Sequence, residues 1–546
     1  MKNTFFICLF FSLACYSFAQ NPLWKQWDRI YGGTKQEFVY NILSTPDDGY
    51  IIGSTSFSGI SGNKTTRNWD TVNVSDDLWI MKLDGNGGIV WQKSYGTTSW
   101  DHMSTIQPTS DGGYIIGAQT SSGISGDKTT PGRGIHDYWI LKLDSLGAKE
   151  WDKGFGGSGI DAVHYVFQTS DGGYLAIGES DSDSSGDKTE DGWSQSTGSF
   201  DVWIIKMDSA GHKQWDKDFG GINDDRARAG FQTKSGNYII GGTSSSGISG
   251  NKTQSNFDSI ETTADIWLIE TDPFGNMLWD KCYGGDSIDI IQTVLEDDNG
   301  GYIIYGSSIS DISGNKTEHC RGDFDYWIVT IDSAGVKQSE KAFGGNGRDV
   351  YGNLIKTSDG GFLVTGSSYS PASGEKSENN LGIQQVWTVK TDSAFNMLWD
   401  RTLLNNCLDQ NVIAVQGSDQ SYVFASASSA PAGGDQTSDC FNSYYDTWVI
   451  KFYDRTLITS ASAPLFSNES AGMSIYPNPA TSQFAVCSSQ FTKDSQLEIF
   501  NSLGEKIYTS SYRDRLTVNC ELFPSGIYFV RINNTVNQFT QKLFIK

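Results

Sequence analysis

Apolar residues along this chain come in short runs of seven or eight, broken by Gly, Ser and Asp, and none follows the 3.6-residue spacing of a helix. Between Gly156 and Gly221 four such runs stand in order, AVHYVFQT, YLAIGES, VWIIKMD and KQWDKDF. They are separated by Ser-Asp-Gly-Gly, a long Ser/Gly/Asp stretch and Asp-Ser-Ala-Gly. Aromatic and β-branched enrichment between turn residues predicts four β-strands, called A to D here. The block recurs, and a C-strand tryptophan marks it each time: Trp79, Trp139, Trp203, Trp267, Trp327, Trp387 and Trp448, at spacings of 60, 64, 64, 60, 60 and 61. A fixed period of this size means stacked units that cannot bury their apolar faces alone.

Four strands per unit, arranged radially, make the blade of a β-propeller. The seventh unit supplies A, B and C and then stops. Its missing D strand stands at the other end of the chain, as Trp27-Asp28-Arg29-Ile30-Tyr31-Gly32-Gly33. An N-terminal strand that completes the last blade closes the ring and removes two exposed edges. The expectation is an all-β, seven-bladed propeller over 20–454, with strand A innermost. The closure resembles that of WD-repeat propellers.

The register sorts the remaining residues. Thirteen of 17 tryptophans are in phase: the seven above and Trp27, Trp91, Trp151, Trp215, Trp279 and Trp399 on D strands. Rings at equivalent strand positions are expected to fill the space between blades. Ser339 replaces the D-strand tryptophan of blade five, which predicts a locally weaker blade. Asp-Gly-Gly-Tyr (Asp111, Asp171), Asp-Gly-Gly-Phe (Asp359) and Asp-Ser-x-Gly (Asp144, Asp208, Asp332) read as tight turns, Gly supplying positive φ and Asp bonding its own backbone. Ser-Gly-x-Lys-Thr recurs in the B–C loop, around Lys64, Lys128, Lys188, Lys252 and Lys316; its spacing and the lack of a following helix exclude a phosphate-binding loop.

One acid stands at each D-to-A handover: Glu37, Asp101, Asp161, Asp225, Asp289, Asp349 and Asp409. Two readings stay open for this ring, backbone hydrogen bonds within each loop or a cation at the channel mouth. Asp181, Asp183 and Asp187 have the look of a calcium loop confined to blade three. No cofactor is required by the sequence, and Ca²⁺ is the candidate ion.

Composition narrows the class. A charge of −24 and pI near 4.5 argue against nucleic acid. Residues 1–19, with Lys2, an apolar stretch from Phe5 to Ala14 and Ser17-Phe18-Ala19, read as a secretory signal peptide. Ser12-Leu13-Ala14-Cys15 is a poor lipoprotein signal, and no later segment approaches a membrane span. Six cysteines then remain; export favours disulfides, and proximity along the chain suggests Cys282–Cys320, Cys407–Cys440 and Cys487–Cys520 among 15 pairings.

Residues 455–472 read as a Ser/Ala/Pro/Asn-rich linker, and 473–546 as a separate small β-sandwich. Its Met473-Ser-Ile-Tyr-Pro-Asn-Pro-Ala opening, its Leu497-Glu-Ile-Phe-Asn-Ser-Leu-Gly-Glu-Lys turn and its Gln541-Lys-Leu-Phe-Ile-Lys end resemble the type A C-terminal sorting domain of the Bacteroidetes type IX secretion system. That resemblance implies export across both membranes, the secretion machinery as partner, and release or attachment at the cell surface. The 27–454 repeat also resembles long-repeat propellers exported by the same bacteria. Asp-Ser-Leu and Asp-Ser-Ala at Ser145, Ser209, Ser333 and Ser393 resemble the O-glycosylation sequence of that group.

D–A and B–C loops should share one face of the disc, and three tryptophans outside the 13 fall there: Trp69, Trp100 and Trp193. Aromatic platforms beside acids and amides suit sugars, so the expected function is binding of a glycan or other surface macromolecule through this face. The alternatives are a polysaccharide-degrading enzyme on the same face and a structural surface-assembly protein. The five histidines lie on different blades and strands, and no catalytic constellation is recognisable.

Overall fold

The structure is a computed structural model. It describes residues 23–454 apart from 71–74, 194–197, 259–262 and 442–443, and residues 474–545 apart from 477–479, 481–482, 488–494, 502–504, 513–514, 521–522, 525 and 534–537. The signal-peptide and linker expectations lie outside the described residues. The chain divides into two compact units, 1–458 and 459–546.

Unit one holds seven four-stranded antiparallel sheets. Six run A-B-C-D in chain order, the first as Glu37–Ser44, Tyr50–Ser56, Asp77–Leu83 and Ile89–Tyr95. The seventh takes A, B and C from Asp409–Gln416, Tyr422–Ser428 and Asp446–Asp454, and its D strand is Leu23–Tyr31, paired from Leu23 opposite Asp454 to Tyr31 opposite Thr447. Each A strand touches the A strands of both neighbours, all the way round. This is the closed seven-bladed propeller that the repeat predicts.

Seven apolar clusters hold it, one between each pair of adjacent blades. The C-strand tryptophans are fully buried in them. A buried indole N–H needs an acceptor, and the Trp-Asp-Lys motif supplies it. Trp139 donates to Asp152 (3.2 Å), Trp203 to Asp216 (3.1 Å), Trp267 to Asp280 (3.0 Å) and Trp387 to Asp400 (3.0 Å). Trp448 closes the ring by donating to Asp28 on the N-terminal strand (3.4 Å).

The D-strand tryptophans are half-buried; five lie on the next blade's C–D turn, and Trp399, which faces the blade closed by the N-terminal strand, donates to Asp454 (3.2 Å). A methyl group added at the turn glycine would stand 2.6 Å from Trp91 at Gly147 and 2.8 Å from Trp151 at Gly211. Both glycines have φ of +76°, so space and backbone alike select Gly.

Blade five departs from this and corrects the weak-blade expectation. Opposite Ser339, the next blade's turn carries Phe395 in place of glycine, at φ +60°. Its buried ring stacks on Phe362 at 4.6 Å within the core between blades five and six. The aromatic has moved across the junction. Phe395→Gly alone should cost about 3 kcal/mol and Ser339→Trp alone about 1–3 kcal/mol. The double variant should recover most of both losses, a coupling that denaturant titration measures; strict additivity would refute the exchange.

Unit two is a sandwich of a three-stranded sheet (Ser474–Tyr476, Gln483–Cys487, Arg515–Asn519) and a four-stranded one (Lys506–Tyr512, Ser495–Asn501, Gly526–Asn533, Gln538–Ile545). Ile475, Phe484, Val486 and Val518 from the first pack on Leu497, Ile499, Val530, Ile532 and Leu543 from the second.

The disulfide expectation is not met. Cys282, Cys320, Cys407, Cys440 and Cys520 are free thiols. Cys282 faces the core between blades three and four, whereas Cys320 sits in the B–C loop of blade five, its thiol bonded to the Asp323 carbonyl at 2.7 Å. Cys440 donates to the Ser428 carbonyl at 3.1 Å, while Cys407 accepts from the Ser429 hydroxyl at 3.3 Å. Pairing places Cys487 opposite Arg515, five residues from Cys520 along the same ladder, too far for a bond that needs Cα atoms roughly 4.4–6.8 Å apart.

Candidate binding surface

D–A turns and B–C loops do share a face: the Thr34 amide donates to Ser61 Oγ (3.0 Å), Ser158 to Ser185 (2.9 Å) and Asn346 to Ser373 (2.9 Å). The loop lysines are internal staples. Lys64 Nζ is buried, and it donates to the carbonyls of Ser58 (2.9 Å) and Thr66 (3.0 Å) and to Asn68 Oδ1 (2.8 Å). Gln436 makes the same two carbonyl bonds in blade seven, to Ala430 and Ser438. The threonine that follows the lysine reaches the acid already bonded to tryptophan, as Thr189 does to Asp216 (2.8 Å). Loop, C strand and D strand thus meet at one carboxylate.

All seven handover acids are fully buried. Asp161 accepts from the Gly157 amide (2.7 Å) and the Ser180 hydroxyl (2.5 Å). Asp225, Asp289 and Asp349 accept from Gly221, Gly285 and Gly345, Asp101 from Thr97 (2.5 Å), Glu37 from Gly33 (3.0 Å) and Asp409 from Asn405 Nδ2 (2.5 Å). Burial pushes Asp161 up to about 6 and Asp101 and Asp409 up to about 7.

In blade three, Asp181 caps the Ile160 amide (2.5 Å), Asp187 pairs with Arg133 (3.1 Å) and Asp183 is exposed. Among the described residues no three His, Cys, Asp or Glu side chains gather as metal ligands.

Trp69 and Trp193 occupy one register position, five residues after the loop lysine, filled elsewhere by Arg133, Phe257, Arg321, Leu381 and Phe441. Five of these side chains, Trp69, Arg133, Trp193, Phe257 and Arg321, clasp the next blade's Ser-Gly turn. Trp69 Nε1 donates to Asp127 (2.6 Å), Arg321 Nη2 to Glu375 (2.7 Å), and Phe257 and Trp193 lie on Gly314 and Gly250. Both tryptophans keep exposed surface, 37% and 43%. Arg67 stands over the Trp69 ring at 5.1 Å.

Trp193 forms the lip of an open groove of about 620 Å³ between blades three and four, with Glu190, Lys217, Asp218, Asn251, Asn276 and Met277 among its lining residues. Beneath it lies a buried ion pair, Lys188–Asp218 at 2.9 Å. The equivalent position on the other blades holds Ser94, Gly154, Cys282, Ala342, Thr402 and Ile30. Burial drives the Asp218 carboxyl up against the pull of Lys188, and truncating either partner would strand the other.

Trp100 is half-buried between two histidines that sequence spacing keeps far apart. His102 stacks on it at 5.0 Å and His136 tilts against it at 5.2 Å. His102 Nδ1 meets Asp76 Oδ2 at 3.3 Å, and Tyr40 packs edge-on to its ring at 4.7 Å. Burial raises Asp76 and lowers His136. The signal that could have found this cluster is its departure from the repeat: at the junction of blades four and five the positions of Asp76 and His102 hold Ala264 and Ile290.

With the geometry described, comparison with known proteins fixes the class of one part of the chain. Residues 474–546 match the secretion system C-terminal sorting domain. The protein is therefore a type IX secretion cargo with a propeller ahead of its sorting domain, exported and then released or held at the cell surface. The sorting domain implies contact with the secretion machinery, and no helix among the described residues is long and apolar enough to cross a membrane.

No curated protein matches the chain in sequence. Among solved structures it is similar to a Dyadobacter fermentans protein of unknown function (9% identity, 80% of this chain and 100% of that one, TM-score 0.40) and to a fungal alcohol oxidase of the AA5 family in complex with copper (12%, 96% and 100%, 0.42). It is also similar to PorZ, a surface component of the type IX secretion system of Porphyromonas gingivalis (9%, 95% and 100%, 0.25). Likenesses at these scores carry nothing over to this chain.

Proposed function

We propose that the propeller is a cell-surface or secreted binding module for a glycan, and that the groove under Trp193 is where a sugar ring docks. The observation that carries this is the exposed indole beside Asn251, Asn276, Glu190 and Lys217 in one open groove. An apolar ring face stacks on the indole while hydroxyls bond to the amides and charges, the mixture small-molecule sites use. Binding is favoured over hydrolysis because two of the groove's three acids are tied to lysines, Glu190 to Lys217 at 2.8 Å and Asp218 to Lys188 at 2.9 Å, and the third, Asp191, accepts from the Ser184 amide at 3.0 Å. Trp69 is a second exposed indole on the same face, already engaged by Arg67 and Asp127. Trp100, between its histidines, offers no free face.

On a glycan array, Trp193→Ala should weaken the strongest hit about tenfold or more, Trp69→Ala less, and Trp100→Ala least. Unchanged binding in Trp193→Ala would sink the reading. Release of new reducing ends would favour the enzyme alternative, and capture of a surface protein with no glycan bound would favour assembly.

A further inference from the structure

The inner strand of every blade carries a β-bulge, and the bulges give the channel a chemistry unlike the rest of the protein. Pairing of strand A with strand B skips at Tyr40, Ser104, His164, Arg228 and Gln292, and at Tyr351-Gly352 and Asn411-Val412 in blades six and seven. A bulge leaves its extra residue outside the ladder and re-aims the side chain. Strand A pairs on one side only, so its free edge faces the channel, and Tyr40, Ser104, His164, Arg228, Gln292, Tyr351 and Asn411 are all partly or fully exposed there.

None of the seven is acidic, in a chain with 64 Asp and Glu and a charge of −24. Every one carries a hydrogen-bond donor. Two sit in the left-handed region without being glycine, Tyr351 at φ +59° and Asn411 at +52°. Such strain persists only where the surroundings impose it, and it clusters at functional sites. Here the Tyr305 hydroxyl holds the Tyr351 carbonyl at 2.9 Å, and Tyr351 is 49% exposed.

The charge in this ring is Arg228. Its nearest acid, Glu179, is buried and already answered: one oxygen takes Arg226 Nη1 at 2.9 Å and the other meets His164 Nε2 at 3.1 Å. Arg226 also holds Asp224 at 2.5 Å. Those basic neighbours, with Arg228, hold the Glu179 carboxyl below its ordinary range despite burial. Among the described residues no carboxylate comes within ion-pair distance of Arg228, which is exposed on the channel strand. Glu179 stands where other blades have Thr55, Gln119, Thr243, Ser307, Ser367 and Ala427, so this network belongs to blades three and four alone.

We propose that the channel is an oxyanion site, in which Arg228 takes a carboxylate or sulfate group of an acidic saccharide and Gln292 flanks it as a donor. A guanidinium presents two parallel N–H groups to such an anion. The acidic body of the protein repels anions elsewhere, so discrimination comes from the guanidinium in this ring. The site does not depend on the Trp193 groove.

Calorimetric titration of the full chain with galacturonate, inorganic sulfate and galactose tests it. Galacturonate should bind and galactose should not. Arg228→Gln should weaken galacturonate about tenfold or more, and Arg228→Lys should retain part of the affinity. Arg228 is exposed, so these substitutions leave the inter-blade cores intact. Sulfate binding alongside galacturonate marks a general oxyanion site, and galacturonate alone marks a carboxylate site. No binding of galacturonate, equal binding of galactose, or undiminished binding in Arg228→Gln overturns the assignment; array failure of Trp193→Ala to lose binding bears only on the groove.

Discussion

A chain lacking Leu23–Tyr31 loses cooperative folding of all seven blades, and a peptide spanning residues 20–33 added in trans restores it. The strand buries Leu23, Ile30 and Tyr31, worth about 1.5–3 kcal/mol each. It also brings Asp28, which accepts from the Thr437 amide (2.8 Å), the Thr437 hydroxyl (2.7 Å) and the Trp448 indole. Removing that carboxylate leaves a buried N–H without a partner, roughly 1–3 kcal/mol more. Tyr31 additionally bonds the Gly87 carbonyl of blade one at 2.6 Å, so the strand joins two blades as well as completing one. The total approaches the whole stability of an ordinary domain, about 5–15 kcal/mol. Circular dichroism melts of the truncated chain with and without peptide decide it: a sharp transition in the truncated chain would mean the ring closes without its last strand.

The second large effect is a loss of stability on going from pH 5.5 to 8.5. Six of the seven D–A turns lie between the handover acid and an aspartate that opens the preceding C strand; in blade six Gln385 stands there instead. A methyl at Gly284 would stand 2.4 Å from Asp265 Oδ1 and 2.7 Å from Asp289 Oδ2, so the two buried carboxyls are about 5 Å apart at most. The nearby lysine offsets this only in part: Lys252 Nζ gives its three protons to Ser246, Gln254 and Asn256, and its charge pulls on Asp265 without a direct bond. Burial therefore drives these acids towards the protonated form: Asp77, Asp265 and Asp446 to about 8, Asp101 and Asp409 to about 7, Asp161 and Asp325 to about 6.

In the unfolded chain the same groups titrate near 3.9. Folded pKa values above unfolded ones mean that folding takes up protons, so this stability is complete below about pH 4 and is lost as pH rises through 6 to 8. Acids of the opposite kind set the lower limit. Asp47, held by hydrogen bonds from Lys82 and Thr45, and Asp111 and Asp171, on Lys142 and Lys206, are lowered to about 2, and their share disappears as pH falls below 4 towards that value. Stability should peak between about pH 4 and 6, with the melting temperature falling on the order of 10 °C by pH 8.5. Asp265→Asn should flatten the alkaline limb. A melting temperature that rises towards pH 8.5 would contradict the buried-acid account.

The ring itself was legible in the sequence because a propeller writes its fold as a period. Trp448 and Trp27 sit in phase with partners at the far end of the chain, and closure follows from the count. What escaped was anything set by contact across a junction. Phe395 makes up for Ser339 from 56 residues away, and nothing near either residue reveals the exchange.

Trp69 and Trp193 looked out of phase because their shared position is filled by Arg, Phe and Leu elsewhere, residues alike only in reaching the next loop. His102 and His136, scattered in sequence, meet on Trp100 because a D–A turn and a B–C loop of neighbouring blades converge there. The bulges were hidden for a simpler reason, since an extra residue in a strand does not disturb composition, only which side chain faces the channel. Of the cysteine pairs, Cys282 and Cys320 are neighbours along the chain that lie on different blades.

The proposed glycan site lies where the blades stop being equivalent, at blades three and four. Hydrogen exchange of the full chain, with and without the strongest array glycan, tests that claim most directly. The account predicts slowed exchange in 188–193, 217–219, 250–252 and 275–277, with equivalent segments of the other blades unchanged; uniform protection of all seven B–C loops, or protection confined to other blades, would contradict it.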